Sequence, residues 1–198
     1  MREYGIDPAP NNPDMVQNLF EQQSTLRDAA VSAVTLNLFN NHAEKIMIGA
    51  VAQLVNNLHA LFLSGGEHCI CTPAYHVFDM MQNHMGATAL RVSGSCGEIV
   101  RGGFSIPNLS VSASVKDGKL TVTLANLSMD TAAETVLIPS AMAYAGNAEI
   151  ITLTSGDPHD CNTFEEPDKV HLTRTAGAFD GKITVPAYSV ITVIADLL

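Results

Sequence analysis

The sequence predicts a mixed chain: a helical α/β piece over residues 1–88, followed by an antiparallel β-sandwich over residues 89–198. Two observations predict it. Residue usage changes near residue 90, from Leu, Ala, Asn, Gln, His and Met between Gln17 and Gly86 to Thr, Val, Ser and Gly from Ser93 onward. The spacing of apolar residues changes at the same place, from helical to alternating. The 198 residues are 46% hydrophobic and 15% charged, a composition that excludes disorder, collagen-like repeats and coiled-coil arrays.

Three prolines in eight residues make Asp7 to Asp14 a loop or linker. Ser24 or Thr25 caps a helix whose Leu26, Ala29, Ala30, Ala33, Val34, Leu36, Leu38 and Phe39 are apolar nearly all round. Such a helix needs cover on several sides, and an exposed patch of that size implies a dimer or higher oligomer. The run Ile46 to Ala52 is apolar on both alternating faces and ends in the polar Gln53, Asn56 and Asn57, so it reads as a buried parallel strand. A second helix follows, with Thr72 as cap, Pro73 in the first turn and Gly86 past the end.

In the second part, Asp117-Gly118 and Asp180-Gly181 each precede an alternating strand, which predicts two tight hairpins. With 109–115, 134–138, 149–153 and 189–194, this gives six or more short strands.

The formal net charge of −10, from 10 cations against 20 acids, argues against a nucleic-acid or anionic-membrane partner. No apolar run reaches the length of a membrane span, and no signal peptide is legible behind Met1. Cys69, Cys71, Cys96 and Cys161 are spaced for neither a metal set nor an obvious pair of bridges, which predicts four free thiols and an intracellular, cytoplasmic protein. His76 and Asp79 are three apart on the second helix and could share a face, whereas His42, His59, His68 and His84 have no partner at a ligand interval. The acid-rich stretch 156–168 reads as a loop held by Asx turns, with Ca²⁺ binding as the alternative. No metal and no cofactor is expected. No phosphate-binding loop or Gly-x-Ser-x-Gly elbow is present.

Four phrases, in order, resemble glycoside hydrolase family 51, the α-L-arabinofuranosidases: 22–29 (Gln-Gln-Ser-Thr-Leu-Arg-Asp-Ala), 52–56 (Ala-Gln-Leu-Val-Asn), 72–80 (Thr-Pro-Ala-Tyr-His-Val-Phe-Asp-Met) and 162–168 (Asn-Thr-Phe-Glu-Glu-Pro-Asp). The resemblance implies that residues 1–88 are the last units, a helical remnant, of a (β/α)8 barrel and that 89–198 are a jelly-roll-like C-terminal sandwich. It also implies hydrolysis of terminal arabinofuranosyl groups of arabinoxylan or arabinan by a retaining mechanism with two carboxyl groups. By that resemblance the acid/base lies upstream of Met1, and Glu3, in Glu3-Tyr4-Gly5, matches the nucleophile phrase; the alternative for Glu3 is a surface carboxylate. Gln53 falls on the family's strand-end glutamine facing the sugar, or else is an amide that only caps the strand end. The 198 residues alone are then expected to be inactive. The competing reading is a non-catalytic sandwich that supports assembly or binds carbohydrate, for which Tyr144 and Tyr188 are the candidate stacking rings.

Overall fold

The computed structural model describes residues 23–198. Glu3 and the proline-rich stretch 7–14 lie outside the described residues. The first described element is α1 (Leu26–Asn41), whose entry is fixed from two sides. Asp28 Oδ2 accepts from both the backbone N–H and the hydroxyl of Thr25, each at 2.9 Å. The next two N–H groups, which no helix can satisfy internally, donate to loop carbonyls: Leu26 to Asp160 and Arg27 to Pro158, both at 2.9 Å. The second helix, α2 (Pro73–Met81), starts as its sequence predicts, with Thr72 Oγ1 accepting from Tyr75 N–H at 3.3 Å. A 3-10 turn (Gln82–His84) and Gly86 at φ +67° end it. Between the helices lies a short hairpin of β1 (Phe62–Gly65) and β2 (His68–Cys71).

The rest is antiparallel β structure: β3 (Thr88–Leu90), β4 (Glu98–Arg101), β5 (Phe104–Pro107), β6 (Leu109–Lys116), β7 (Lys119–Asn126), β8 (Ala133–Val136), β9 (Tyr144–Thr154), β10 (His171–Ala178), β11 (Lys182–Val185) and β12 (Ser189–Leu197). A six-stranded sheet runs in the order β10-β9-β12-β7-β6-β3. A ribbon of β8 and β11 covers one face, and β4 with β5 forms a separate hairpin. The sandwich is therefore uneven, with one broad sheet and one narrow layer.

Strand alternation divides the sheet's side chains. Leu120, Val122 and Leu124 of β7 and Ile191, Val193 and Ala195 of β12 pack with Ile183 and Val185 of the ribbon. Ala125, Val190, Ile151 and Leu153 point the other way, onto Leu26, Ala29 and Ala33 of α1 and Val77 and Met80 of α2. The N-terminal half of α1 thus finds its cover within the chain, while Leu38 stays 54% exposed.

Two expectations are corrected. Ile46 to Ala52, expected as a buried strand, forms no ladder; Met47 is 95% and Ile48 77% exposed. A parallel strand needs hydrogen-bonding neighbours, and the described residues offer it none. Gly49 instead lies so close over Phe39 of α1 that an added Cβ would sit 2.7 Å from the ring. The second correction concerns the two Asp-Gly phrases. Asp117 (φ +51°) and Gly118 (φ +73°) form the expected primed turn between β6 and β7. Asp180-Gly181 makes no hairpin: β10, before it, pairs with β9, and β11, after it, pairs with β8. Only Gly181 has positive φ there, and its carbonyl accepts from Leu137 N–H at 2.8 Å, so the phrase carries the chain from one layer to the other.

Candidate functional site

Gln53 begins an exposed loop that leads into β1, and the peptide bond before it is cis. The loop is held by its own polar groups. Gln53 N–H donates to Asn57 O at 3.2 Å, and Asn57 Nδ2 donates to Gln53 Oε1 at 3.1 Å. Asn56, at φ +58°, clamps β1 with two bonds: its Nδ2 donates to Ser64 O at 2.7 Å and its Oδ1 accepts from Ser64 N–H at 2.6 Å. Asparagine tolerates this left-handed backbone better than most residues, because its side chain hydrogen-bonds locally. Gln53 Nε2 donates to no described residue, which leaves both its protons for a ligand.

The other end of the loop is anchored in the protein. His59 N–H donates to Ala52 O at 3.0 Å, closing the loop behind Gln53. The imidazole of His59, 1% exposed, puts Nε2 2.6 Å from Ser32 Oγ on α1 and Nδ1 3.7 Å from Asp28 Oδ1. Ser32 (0% exposed) donates its one proton to Asp28 O at 2.9 Å, so it receives the His59 Nε2 proton. Burial pushes His59 below the usual histidine range, against the pull of the Asp28 carboxylate. The three side chains are those of a nucleophilic triad, yet Ser32 is sealed from any substrate and its proton is already engaged.

The loop 156–168 closes over the same end of α1. Asn162, 0% exposed, is its centre: Nδ2 donates to Cys71 O at 3.0 Å and Val170 O at 2.9 Å, and Oδ1 accepts from Val170 N–H at 2.7 Å. Its backbone carbonyl accepts from Gln23 Nε2 at 2.8 Å. Asp157 Oδ1 accepts from His159 N–H at 2.8 Å, the expected Asx turn, and Lys169 pairs with Asp160 at 2.8 Å. That pairing holds the Asp160 carboxyl below its usual range. The α1 entry, the Gln53 loop and the 156–168 loop therefore form one hydrogen-bonded block.

Among the described residues no group of three or more His, Cys, Asp or Glu could hold a metal ion, and all four cysteines are free. Nor is any described helix long and apolar enough to cross a membrane. His76 and Asp79 share α2, but Asp79 pairs instead with Arg174 of β10 at 3.1 Å, and Arg174 also holds Glu149 at 3.0 Å. Tyr144 has its ring against Phe179 and its hydroxyl on Leu137 O at 2.9 Å, and Tyr188 packs beside the helix-facing core. Neither ring is a free sugar platform.

Sequence reasoning missed His59, Ser32 and Asp28. A signal was present: Asp28 and Ser32 are polar residues four apart in an otherwise apolar stretch of helix, and so lie on one face.

Residues 3–189 match the family described as "Alpha-L-arabinofuranosidase C-terminal domain". The chain belongs to that family. It corresponds to the C-terminal part of a glycoside hydrolase family 51 arabinofuranosidase. A relative from Bacteroides ovatus, an "Intracellular exo-alpha-L-arabinofuranosidase", is 32% identical over 189 residues, covering 91% of this chain and 36% of the relative. The chain thus spans about a third of that relative's length. The solved family 51 arabinofuranosidase of Xanthomonas axonopodis pv. citri superposes with a TM-score of 0.86 at 27% identity, over 96% of this chain and 39% of that one. The Thermotoga maritima enzyme, solved as an arabinose complex, shares the fold with a TM-score of 0.75 at 24% identity, over 90% of this chain and 40% of that one.

Proposed function

We propose that this chain is the C-terminal portion of an enzyme that removes terminal, non-reducing α-L-arabinofuranosyl groups from arabinoxylan, arabinan or their oligosaccharides, with retention of configuration. The observation that carries this reading is the family match over residues 3–189, together with the Bacteroides ovatus relative. On this reading residues 1–88 are the last units of the catalytic barrel and 89–198 the sandwich that supports them. The sharing of one apolar cluster between the two helices and the broad sheet supports such a junction.

Gln53 is the sugar contact in this proposal. A carboxamide suits a furanose because it donates to one hydroxyl and accepts from another. Glu3 is the proposed nucleophile. A retaining mechanism also needs a second carboxyl roughly 5 Å from it to protonate the leaving oxygen. The resemblance finds that group in no phrase of this sequence, so the 198 residues alone are inactive. The protein works in the cytoplasm, as the name of the Bacteroides ovatus relative suggests, and associates with copies of itself.

The test is release of nitrophenol from an aryl α-L-arabinofuranoside. The chain by itself should release none, whereas a chimera joining it to the N-terminal part of the Bacteroides ovatus relative should turn over. In that chimera Glu3→Ala should abolish turnover and Gln53→Ala should lower kcat/KM about tenfold, the equivalent of one net hydrogen bond of about 1.4 kcal/mol. A folded but inert chimera, or turnover by the chain alone, would overturn the proposal.

A further inference from the structure

The Ser32, His59 and Asp28 cluster has the composition of a nucleophilic site and the burial of a core. What it touches shows another use. One outward link is the bond from His59 N–H to Ala52 O, the carbonyl immediately before Gln53. Its inward links end on α1: Ser32, at 2.6 Å from the ring, donates in turn to the Asp28 carbonyl, and the Asp28 carboxylate receives both Thr25 groups at the helix entry. Asp28, Ser32 and His59 are each no more than 1% exposed, so the cluster does not yield to solvent as a surface ion pair would. Gln53 itself is exposed and, within the loop, held only by Asn57. Among the described residues a glutamine so exposed has little packing to fix its direction, and a binding contact works only when held close to its productive geometry.

We propose that His59, held by Ser32, is a positioning residue that sets the backbone at Ala52 and so aims the Gln53 carboxamide. The inference rests on the reading of Gln53 as the sugar contact, and it assigns no bond-making role to any of the three. The helix entry, the histidine and the loop then act as one rigid mount. His59→Ala removes the ring that locks residue 59 to α1, and the loop keeps only its own short-range bonds.

The experiment is nuclear magnetic resonance on the ¹⁵N-labelled 198-residue chain, with the Gln53 side-chain amide identified by its absence in Gln53→Glu. His59→Ala should displace that signal and speed exchange of the 59 amide, while His59→Gln, which keeps a donor toward Ser32, should move both back toward the parent. Ser32→Ala serves as a second variant that spares the buried ring: it keeps the imidazole and its backbone bond but removes the ring's hydroxyl partner, and should displace the Gln53 signal in the same direction. A lowered melting temperature with an unmoved Gln53 signal in whichever variants fold would make the cluster merely structural and overturn the inference. The readout needs no turnover, so an inert chimera would defeat the sugar reading without touching the positioning result.

Discussion

The two faces of the broad sheet are built from the same strands and differ in kind. Toward the β8 and β11 ribbon the sheet presents Leu120, Val122, Leu124, Ile191 and Val193, an apolar core. Toward the helices it presents apolar residues under the N-terminal half of α1 and under α2. Beneath the C-terminal half of α1 lie Ser110 and Ser112, matched by Asn37 and Asn40. Ser112 donates to Asn37 Oδ1 at 2.7 Å, while Asn37 and Asn40 donate to Ser110 and Ser112, each at 3.2 Å. His84 continues the seam, with Nδ1 2.8 Å from Ser114 Oγ and Nε2 3.0 Å from Thr123 Oγ1. Apolar burial holds the ribbon face with little demand on direction, whereas the helix face adds hydrogen bonds that fix one register of helix against strand.

This contrast can be broken first at its apolar side. Leu124→Ala, at a fully buried core position, should destabilise by about 3 to 5 kcal/mol, read from the denaturant midpoint at unchanged slope. A loss under 1 kcal/mol would mean the ribbon face is not the main core.

Acid acts on the other face. Burial lowers His84 from 6.5 to about 4, so the folded protein favours the neutral ring more than the unfolded chain does. The associated stability is complete above pH 6.5 and is lost as pH falls from there through 4, by about 3 kcal/mol in all. The titratable neighbour along the seam is Lys116, whose Nζ lies 3.1 Å from Met85 O on the adjoining turn. Unfolding followed between pH 7 and pH 4 should show this slope in the parent and a smaller one in His84→Gln. Equal slopes would remove His84 from the account. The smallest effect is expected from Ser112→Ala, about 1 to 2 kcal/mol, because two asparagine amides lose one partner each while the apolar half of the interface is untouched.

The same contrast explains what the sequence revealed. Thr25, Thr72, Pro73 and Asp117-Gly118 act through neighbours within a few residues, so their caps and turn were legible one residue at a time. The uneven sandwich was legible as alternation, although the narrowness of its second layer was not. Ile46 to Ala52 misled because its composition describes a strand while strand formation depends on partners elsewhere. Asp180-Gly181 repeats the residues of the true hairpin, but the strands flanking it pair with β9 and β8 rather than with each other. Gln53 was reached only through resemblance. His59 escaped because Ser32, a partner of its ring, stands 27 positions earlier, a distance no local pattern encodes.

The closure of residues 156–168 over the start of α1 sets an order of events. Leu26 and Arg27 donate to carbonyls of Asp160 and Pro158, and Val190 lies in the same cluster as Ala29 and Ala33. A ribosome adding about 5–20 residues per second needs on the order of ten seconds between releasing the helix and releasing its last partners. Throughout that interval the flank of α1 that packs on Ile151, Leu153 and Val190 lacks those partners. Docking of α1 onto the broad sheet is then a late step, after β9 and β12 have been made, and its open flank until then is a natural place for a chaperone to wait.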